Sequence, residues 1–149
     1  MRQSLMIVDD SPVMRSFVKR SIEIAGFPVA RWVEAANGAE ALRRLGEDPV
    51  DLVLTDINMP VMDGEALMHA MSLEPSLKTI PVVVVSTDST HHRVNSLLAL
   101  GARGFVRKPF APERLLRLLS EIFPEWPASP EPSTTPANSD MEGVWDEDF

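Results

Sequence analysis

Leu52-Val53-Leu54-Thr55-Asp56-Ile57-Asn58-Met59-Pro60 is the stretch whose reading decides the fold. Three apolar residues between Asp51 and Thr55 spell a short strand buried on both faces, as in a parallel sheet. The strand delivers Asp56 to its C-terminal end, and Pro60 blocks direct continuation. Open parallel α/β sheets bind ligands at the carboxyl ends of their strands. Two other segments aim chemistry at the same rim. Leu5-Met6-Ile7-Val8 runs into Asp9-Asp10, and Val82-Val83-Val84-Val85 runs into Ser86. Lys108 follows a further short apolar run. Three carboxylates, a hydroxyl and an ammonium group in one shallow site suit a divalent cation plus a phosphoryl group.

Outward from this stretch, short apolar runs alternate with helix-like segments over residues 1–123, the expected domain. Strands are expected at 4–8 (β1), 29–35 (β2), 52–54 (β3), 82–85 (β4) and 104–106 (β5). Helices are expected at 12–25 (α1), 38–45 (α2), from the Asp63-Gly64 turn to Pro75 (α3), 90–100 (α4) and 112–122 (α5). Ser11 caps α1 with Pro12 in its first turn, and Val13, Phe17 and Ile24 read as its apolar face. Arg31 and Glu34 mark β2 as an edge strand. Leu115, Leu116, Leu118, Leu119 and Ile122 point α5 inward. Strict alternation of five strands and five helices is the doubly wound α/β pattern, a five-stranded parallel sheet covered on both faces.

Charge is spread unevenly along the 149 residues. The net charge is −8, and residues 1–123 hold 15 Asp and Glu against 14 Lys and Arg. Residues 124–149 hold the other 7 acidic residues and no cation, so the acidity belongs to the tail. An almost neutral body argues against nucleic acid as a partner. The absence of cysteine excludes disulfides, thiolate metal sites and a cysteine nucleophile. Met1-Arg2-Gln3-Ser4 leads into only four apolar residues, too few for a membrane span or signal core. The expected location is the cytoplasm, with no membrane partner. Five prolines fall within 124–136, which reads as a disordered linker. Beyond it, Trp145 and Phe149 stand among acidic residues. Aromatics often anchor interfaces, so residues 124–149 are expected to form a tail that tethers a partner.

Each candidate site residue has a plainer alternative reading. Asp9-Asp10-Ser11-Pro12 is also a helix-capping run. Adjacent Asp9 and Asp10 cannot both point one way from an extended strand, so one binds a cation directly and the other through water. Lys108 could be an ordinary surface lysine, Ser86 a turn serine and Phe105 a core aromatic. Asp56 could ligate a metal or attack phosphorus to form an acyl phosphate. Pro109 makes the preceding peptide bond one that tolerates the cis form.

Taken together, these residues resemble the response-regulator receiver domain, of the CheY-like single-domain kind with a flavodoxin-like fold. The resemblance rests on Asp9-Asp10, on Asp56-x-Asn58-Met59-Pro60-x-Met62-Asp63-Gly64, on Ser86 and on Lys108-Pro109-Phe110, and covers residues 4–123. It implies that Asp56 takes phosphate from a sensor histidine kinase in a two-component, chemotaxis-type system. It implies that Asp9, Asp10 and Asp56 hold Mg2+ or Mn2+ with the Asn58 backbone carbonyl. Lys108 would pair with the phosphoryl group, Ser86 would swing toward it and Phe105 would turn inward. An output protein would then bind the α4–β5–α5 face, with no enzymatic turnover beyond self-phosphorylation and dephosphorylation. Ser86 stands where threonine is commoner, and Phe105 where tyrosine is commoner. Thr87 is larger than the usual small residue, and with Asp88 and Asn58 it would modulate the hydrolytic water. The tail end is similar to the Trp-and-Phe peptides of some chemoreceptors, with one more residue between the aromatics.

Other functions fit less well. A haloacid-dehalogenase-type phosphatase wants Asp-x-Asp after the strand, and Asp56-Ile57-Asn58 lacks the second carboxylate. No glycine-rich loop follows β1, which argues against nucleotide binding. A phosphorelay intermediate or phosphate sink shares every site residue and is discriminated by phosphate transfer back to a histidine. No output domain is expected after residue 123.

Overall fold

The computed structural model describes residues 2–126. Ten elements alternate: β1 (Gln3–Val8), α1 (Pro12–Ile24), β2 (Val29–Ala35), α2 (Gly38–Leu45), β3 (Leu52–Thr55), α3 (Gly64–Ser72), β4 (Val82–Ser86), α4 (His91–Ala99), β5 (Gly104–Arg107) and α5 (Pro112–Ile122). The five strands form one parallel sheet in the order β2-β1-β3-β4-β5. The doubly wound pattern is therefore observed, with β2 at an edge as its charges indicate.

Strand alternation splits the core in two. Met6, Val8, Val53, Val82, Val84 and Phe105 face one side, where they meet Ala41 and Leu45 of α2, Leu67 and Met71 of α3, and Val94 and Leu97 of α4. Leu5, Ile7, Leu52, Leu54, Val83 and Val85 face the other, against Val18 and Ile22 of α1 and Leu115 and Leu119 of α5. Four helices are capped by side chains at the positions helix ends require: Ser11, Asn37, Asp63 and Thr90 each accept an N–H from the first turn.

The α1 face differs from expectation. Val13 and Ile24 are each 78% exposed and Phe17 is 40% exposed. The inward stripe is Met14, Val18, Ser21, Ile22 and Ala25, an i, i+4, i+7, i+8, i+11 pattern. Ser21 conceals that stripe in the sequence. It is tolerated there because its hydroxyl donates to the Phe17 carbonyl at 2.9 Å.

A second difference lies at the C-terminal end. Composition places the body's boundary at Phe123, yet Trp126 is 1% exposed. Its indole N–H donates to the Pro28 carbonyl at 2.8 Å, and its ring lies 4.5 Å from Phe27 and 5.6 Å from Phe123. The packed body thus reaches Trp126, at the end of the sheet where β1 and β2 begin. Trp145 and Phe149 lie outside the described residues.

Candidate functional site

The opposite end of the sheet gathers the charged residues. β1 ends at Val8, so Asp9 follows directly, and the Asp9 amide still donates to Ala35 of β2 at 3.0 Å. β3 ends one residue before Asp56, whose amide donates to Val8 at 2.9 Å. β1 and β3 are adjacent in register, with Val8 opposite Thr55, so the two aspartates emerge side by side. β5 delivers Lys108 from across the sheet, and the Lys108 amide donates to Ser86 at 2.9 Å.

The Lys108 ammonium bridges the two carboxylates, donating to Asp9 Oδ2 at 2.9 Å and to Asp56 Oδ2 at 3.0 Å. Burial alone would lower its pKa. The hydrogen bonds and negative charge of Asp9 and Asp56 outweigh burial and hold it above the usual lysine value. Lysine is therefore a fixed cation here and cannot serve as a base near neutral pH. Carboxylate oxygens of Asp9, Asp10 and Asp56 all lie within 4.8 Å of one another. Asp9 is buried, Asp10 is exposed and Asp56 is 9% exposed. Three hard oxygen donors at that spacing, open to solvent on one side, fit Mg2+ or Mn2+. The expected helix-capping role also holds in part: Asp9 Oδ1 accepts the Ser11 amide at 2.9 Å.

The remaining candidate residues divide. Ser86 is fully buried at the end of β4, with its oxygen accepting the Asp88 amide at 3.2 Å. Thr87 and Asn58 are exposed. Asp88 turns its carboxylate to Thr90 and, at 3.7 Å, to Arg93. Phe105 is already inward, 4% exposed among the apolar residues of α4 and β4. The Lys108–Pro109 peptide bond is cis.

Three residues support the site in ways that the sequence reading does not assign to them. Arg15 donates to the Asp9 carbonyl at 2.6 Å and to Glu34 at 2.8 Å. Glu34 is held below its usual carboxylate pKa by the Arg15 hydrogen bond, with Lys19 assisting and burial opposing. Arg93 on α4 reaches Asp63, Glu65 and Asp88 at 3.9, 3.3 and 3.7 Å, which joins the α3 and α4 ends of the rim. Gly64 is the third. The sequence marks it as a turn former, but the structure gives it another duty.

The chain reverses tightly after Asp56. The Met62 amide donates to Pro60 at 2.7 Å, and Val61 between them sits at φ 70°, strained for a β-branched residue. The return brings the Gly64 amide to the Ile57 carbonyl at 2.7 Å. A Cβ on Gly64 would collide with the Asp56 carbonyl oxygen and lie 3.0 Å from the Ile57 Cα. These are backbone atoms and cannot turn aside. Gly64→Ala is expected to cost about 2 kcal/mol through overpacking, and to displace Asp56. A urea denaturation midpoint that matches the parent would show that the loop relaxes freely.

Comparison with known proteins agrees with this geometry. The chain is 38% identical to the chemotaxis protein CheY of Listeria monocytogenes over 118 residues, 78% of this chain and 95% of that protein. It superposes on the chemotaxis response regulator CheY4 of Vibrio cholerae with a TM-score of 0.73 and 31% identity, covering 83% of this chain and all of the other. It also superposes on the receiver domain of a sensor histidine kinase from Pseudomonas aeruginosa PAO1, solved with magnesium in its active-site cleft. That match has a TM-score of 0.71 and 22% identity over 81% of this chain and 97% of that one. A family model for the response regulator receiver domain matches residues 5–120, which hold every charged residue of the cluster. With its fold, its sheet order and its rim of carboxylates, the chain belongs to the response regulator receiver domain family and is CheY-like.

Proposed function

We propose that Asp56 is the phosphoacceptor of a two-component response regulator of chemotaxis type, supplied by a sensor histidine kinase. The observation that carries this reading is the Lys108 ammonium held at 2.9 and 3.0 Å between Asp9 and Asp56. It sets a fixed positive charge beside the carboxylate that would receive a phosphoryl group. An Asp56 carboxylate oxygen attacks phosphorus as the phosphorus–nitrogen bond of phosphohistidine breaks. The departing imidazole keeps the electron pair and takes a proton. Asp9 and Asp10, with Asp56 and the Asn58 carbonyl, would hold Mg2+ or Mn2+. Bound there, the cation offsets charge on the transferring oxygens. Lys108 neutralises the phosphoryl group on the opposite side and loses Asp56 as a full carboxylate partner.

That exchange of partners is what couples the site to the rest of the chain. Lys108 closes β5, and Ser86 closes β4 beside it. Their movement toward a phosphoryl group would be transmitted along β5 to the α4–β5–α5 face, where an output protein would read it. A phosphoryl group shifts this equilibrium only by binding one state better than the other. The protein is then a switch in the cytoplasm and not an enzyme with a turnover of its own.

The test is incubation of the full chain with a small phosphodonor and Mg2+, followed by mass analysis. One phosphate, stable in acid and labile in base, is expected on Asp56. Chelation of the metal is expected to slow labelling at least about a hundredfold, because Lys108 alone would then offset three carboxylates and an approaching phosphoryl dianion. Labelling that persists unchanged in the chelator would remove the metal from the reading.

A further inference from the structure

We propose that the acidic, aromatic segment 140–149 docks on this chain's own α4–β5–α5 face. The sheet stops at β5, and the helices on either side leave two apolar grooves along that edge strand. The first lies between β5 and α5, floored by Phe105, Val106 and Leu118, with Arg103, Arg114 and Arg117 along its walls. The second lies between α4 and β5, with Val94 and Leu98 opposite Phe105. Leu98 is 48% exposed there, one of the few large apolar side chains the body leaves open. Phe105 and Gly104 belong to both grooves, so the two are contiguous.

Charge selects the occupant. Four of the chain's fourteen cations, Arg103, Arg107, Arg114 and Arg117, fall within β5, α5 and the residue before β5. The segment 140–149 carries five acidic residues and no cation. The lining of the first groove holds three arginines against one acid, Glu121, so its excess charge is opposite to the tail's. Trp145 and Phe149 are four residues apart in the sequence, the spacing that would share one side of a helical turn if the segment docks as a helix. Two large aromatics match two adjoining apolar grooves. The acidic residues between them match the arginines. Aromatic anchors within a charged rim are the usual anatomy of a specific contact.

Chain geometry favours the same molecule over another copy. Trp126 pins the root of the tail beside the C-terminal end of α5, and the groove begins at Glu121, five residues earlier in the chain. From there α5 climbs past Arg117 and Arg114, a rise of roughly 10 Å. Trp145 follows Trp126 by 19 positions, and a chain of that length reaches up to about 65 Å when extended. Such a tether holds its end at a local concentration on the order of millimolar, so a weak contact suffices. If the output surface is the one proposed above, the docked tail covers it, and an output partner must displace Trp145 and Phe149 to bind.

The experiment compares isotope-labelled full chains, without phosphodonor or metal, by backbone amide spectra. Parent against Trp145→Ala/Phe149→Ala is expected to differ at His91–Ala99, Gly104–Arg107 and Pro112–Ile122, with the differences unchanged on dilution. Arg103→Glu/Arg117→Glu is expected to abolish them, and adding Asp146→Lys/Asp148→Lys to restore them. Differences confined to residues 127–149 would overturn the docking. Differences that fade on dilution would move the contact to a second copy and overturn the intramolecular form. Phosphorylation plays no part in this measurement, so its failure leaves the phosphoacceptor reading intact. A chain that docks its tail but takes no phosphate on Asp56 defeats only that reading.

Discussion

An Asp56→Asn chain is expected to fold normally and to take no covalent phosphate from a small donor. The amide is not a comparable nucleophile, and no other carboxylate shares the position of Asp56 between Lys108 and the backbone amide of Ile57. The variant isolates chemistry from folding for a structural reason. Its carboxamide keeps an oxygen to accept the Ile57 amide, which Asp56 Oδ1 holds at 2.6 Å in the parent. Lys108 keeps Asp9 at 2.9 Å. One negative charge leaves a cluster of three, which relieves repulsion, while the hydrogen bond to Lys108 is lost because the NH2 that replaces Oδ2 can only donate. These opposing changes are expected to leave stability within about 1 kcal/mol of the parent. Labelling is expected to fall to the level of heat-denatured protein. Covalent phosphate at the parent's extent would place the acceptor elsewhere, with Asp9 and Asp10 the first positions to check.

The site was legible because its parts sit where strands end. Asp9, Asp56, Ser86 and Lys108 each close a short apolar run, and a parallel sheet brings such ends to one rim. The edge position of β2 followed from its charges. What the sequence hid was hidden by packing. Ser21 is polar but lies on the buried face of α1, so the helix read with Val13 and Ile24 inward when both face solvent. Gly64 stands in the quoted motif as a turn glycine, and only the lack of room for a Cβ against the Asp56 carbonyl shows why no other residue serves there. Arg15 and Arg93 act through partners far along the chain, Glu34 and Asp63 among them, and no spacing rule exposes such pairs. Phe105 is buried among Val84, Val94 and Leu97, where the sequence alone left it open between a core aromatic and a switch residue. Prolines at 124 and 127 made a linker of the segment that contains Trp126, although one aromatic can outweigh its neighbours when a hydrophobic seat awaits it.

Trp126→Ala tests that seat and is expected to be the most destabilising single change away from the phosphorylation site. The indole is 1% exposed and fills a space bounded by Phe27 and Phe123. Truncating a buried tryptophan costs about 3 to 5 kcal/mol in transfer and cavity terms. The lower end applies here, because Trp126 lies after α5 and the backbone there can shift into part of the void without displacing the sheet. The Pro28 carbonyl loses the indole donor at 2.8 Å but keeps a long contact from the Gln3 amide at 3.5 Å, so it is not left wholly unsatisfied. The expected loss is therefore about 3 kcal/mol by urea denaturation. Trp126→Phe keeps most of the ring and removes the N–H, and should cost about 1 kcal/mol. A chain stopped after Phe123 should match Trp126→Ala. None of the three should change the rate at which Asp56 is labelled, since Trp126 lies where β1 and β2 begin and Asp56 lies where β3 ends. An unshifted midpoint in Trp126→Ala would return residues 124–126 to the tail and detach the root from which segment 140–149 is proposed to reach the arginine-walled groove.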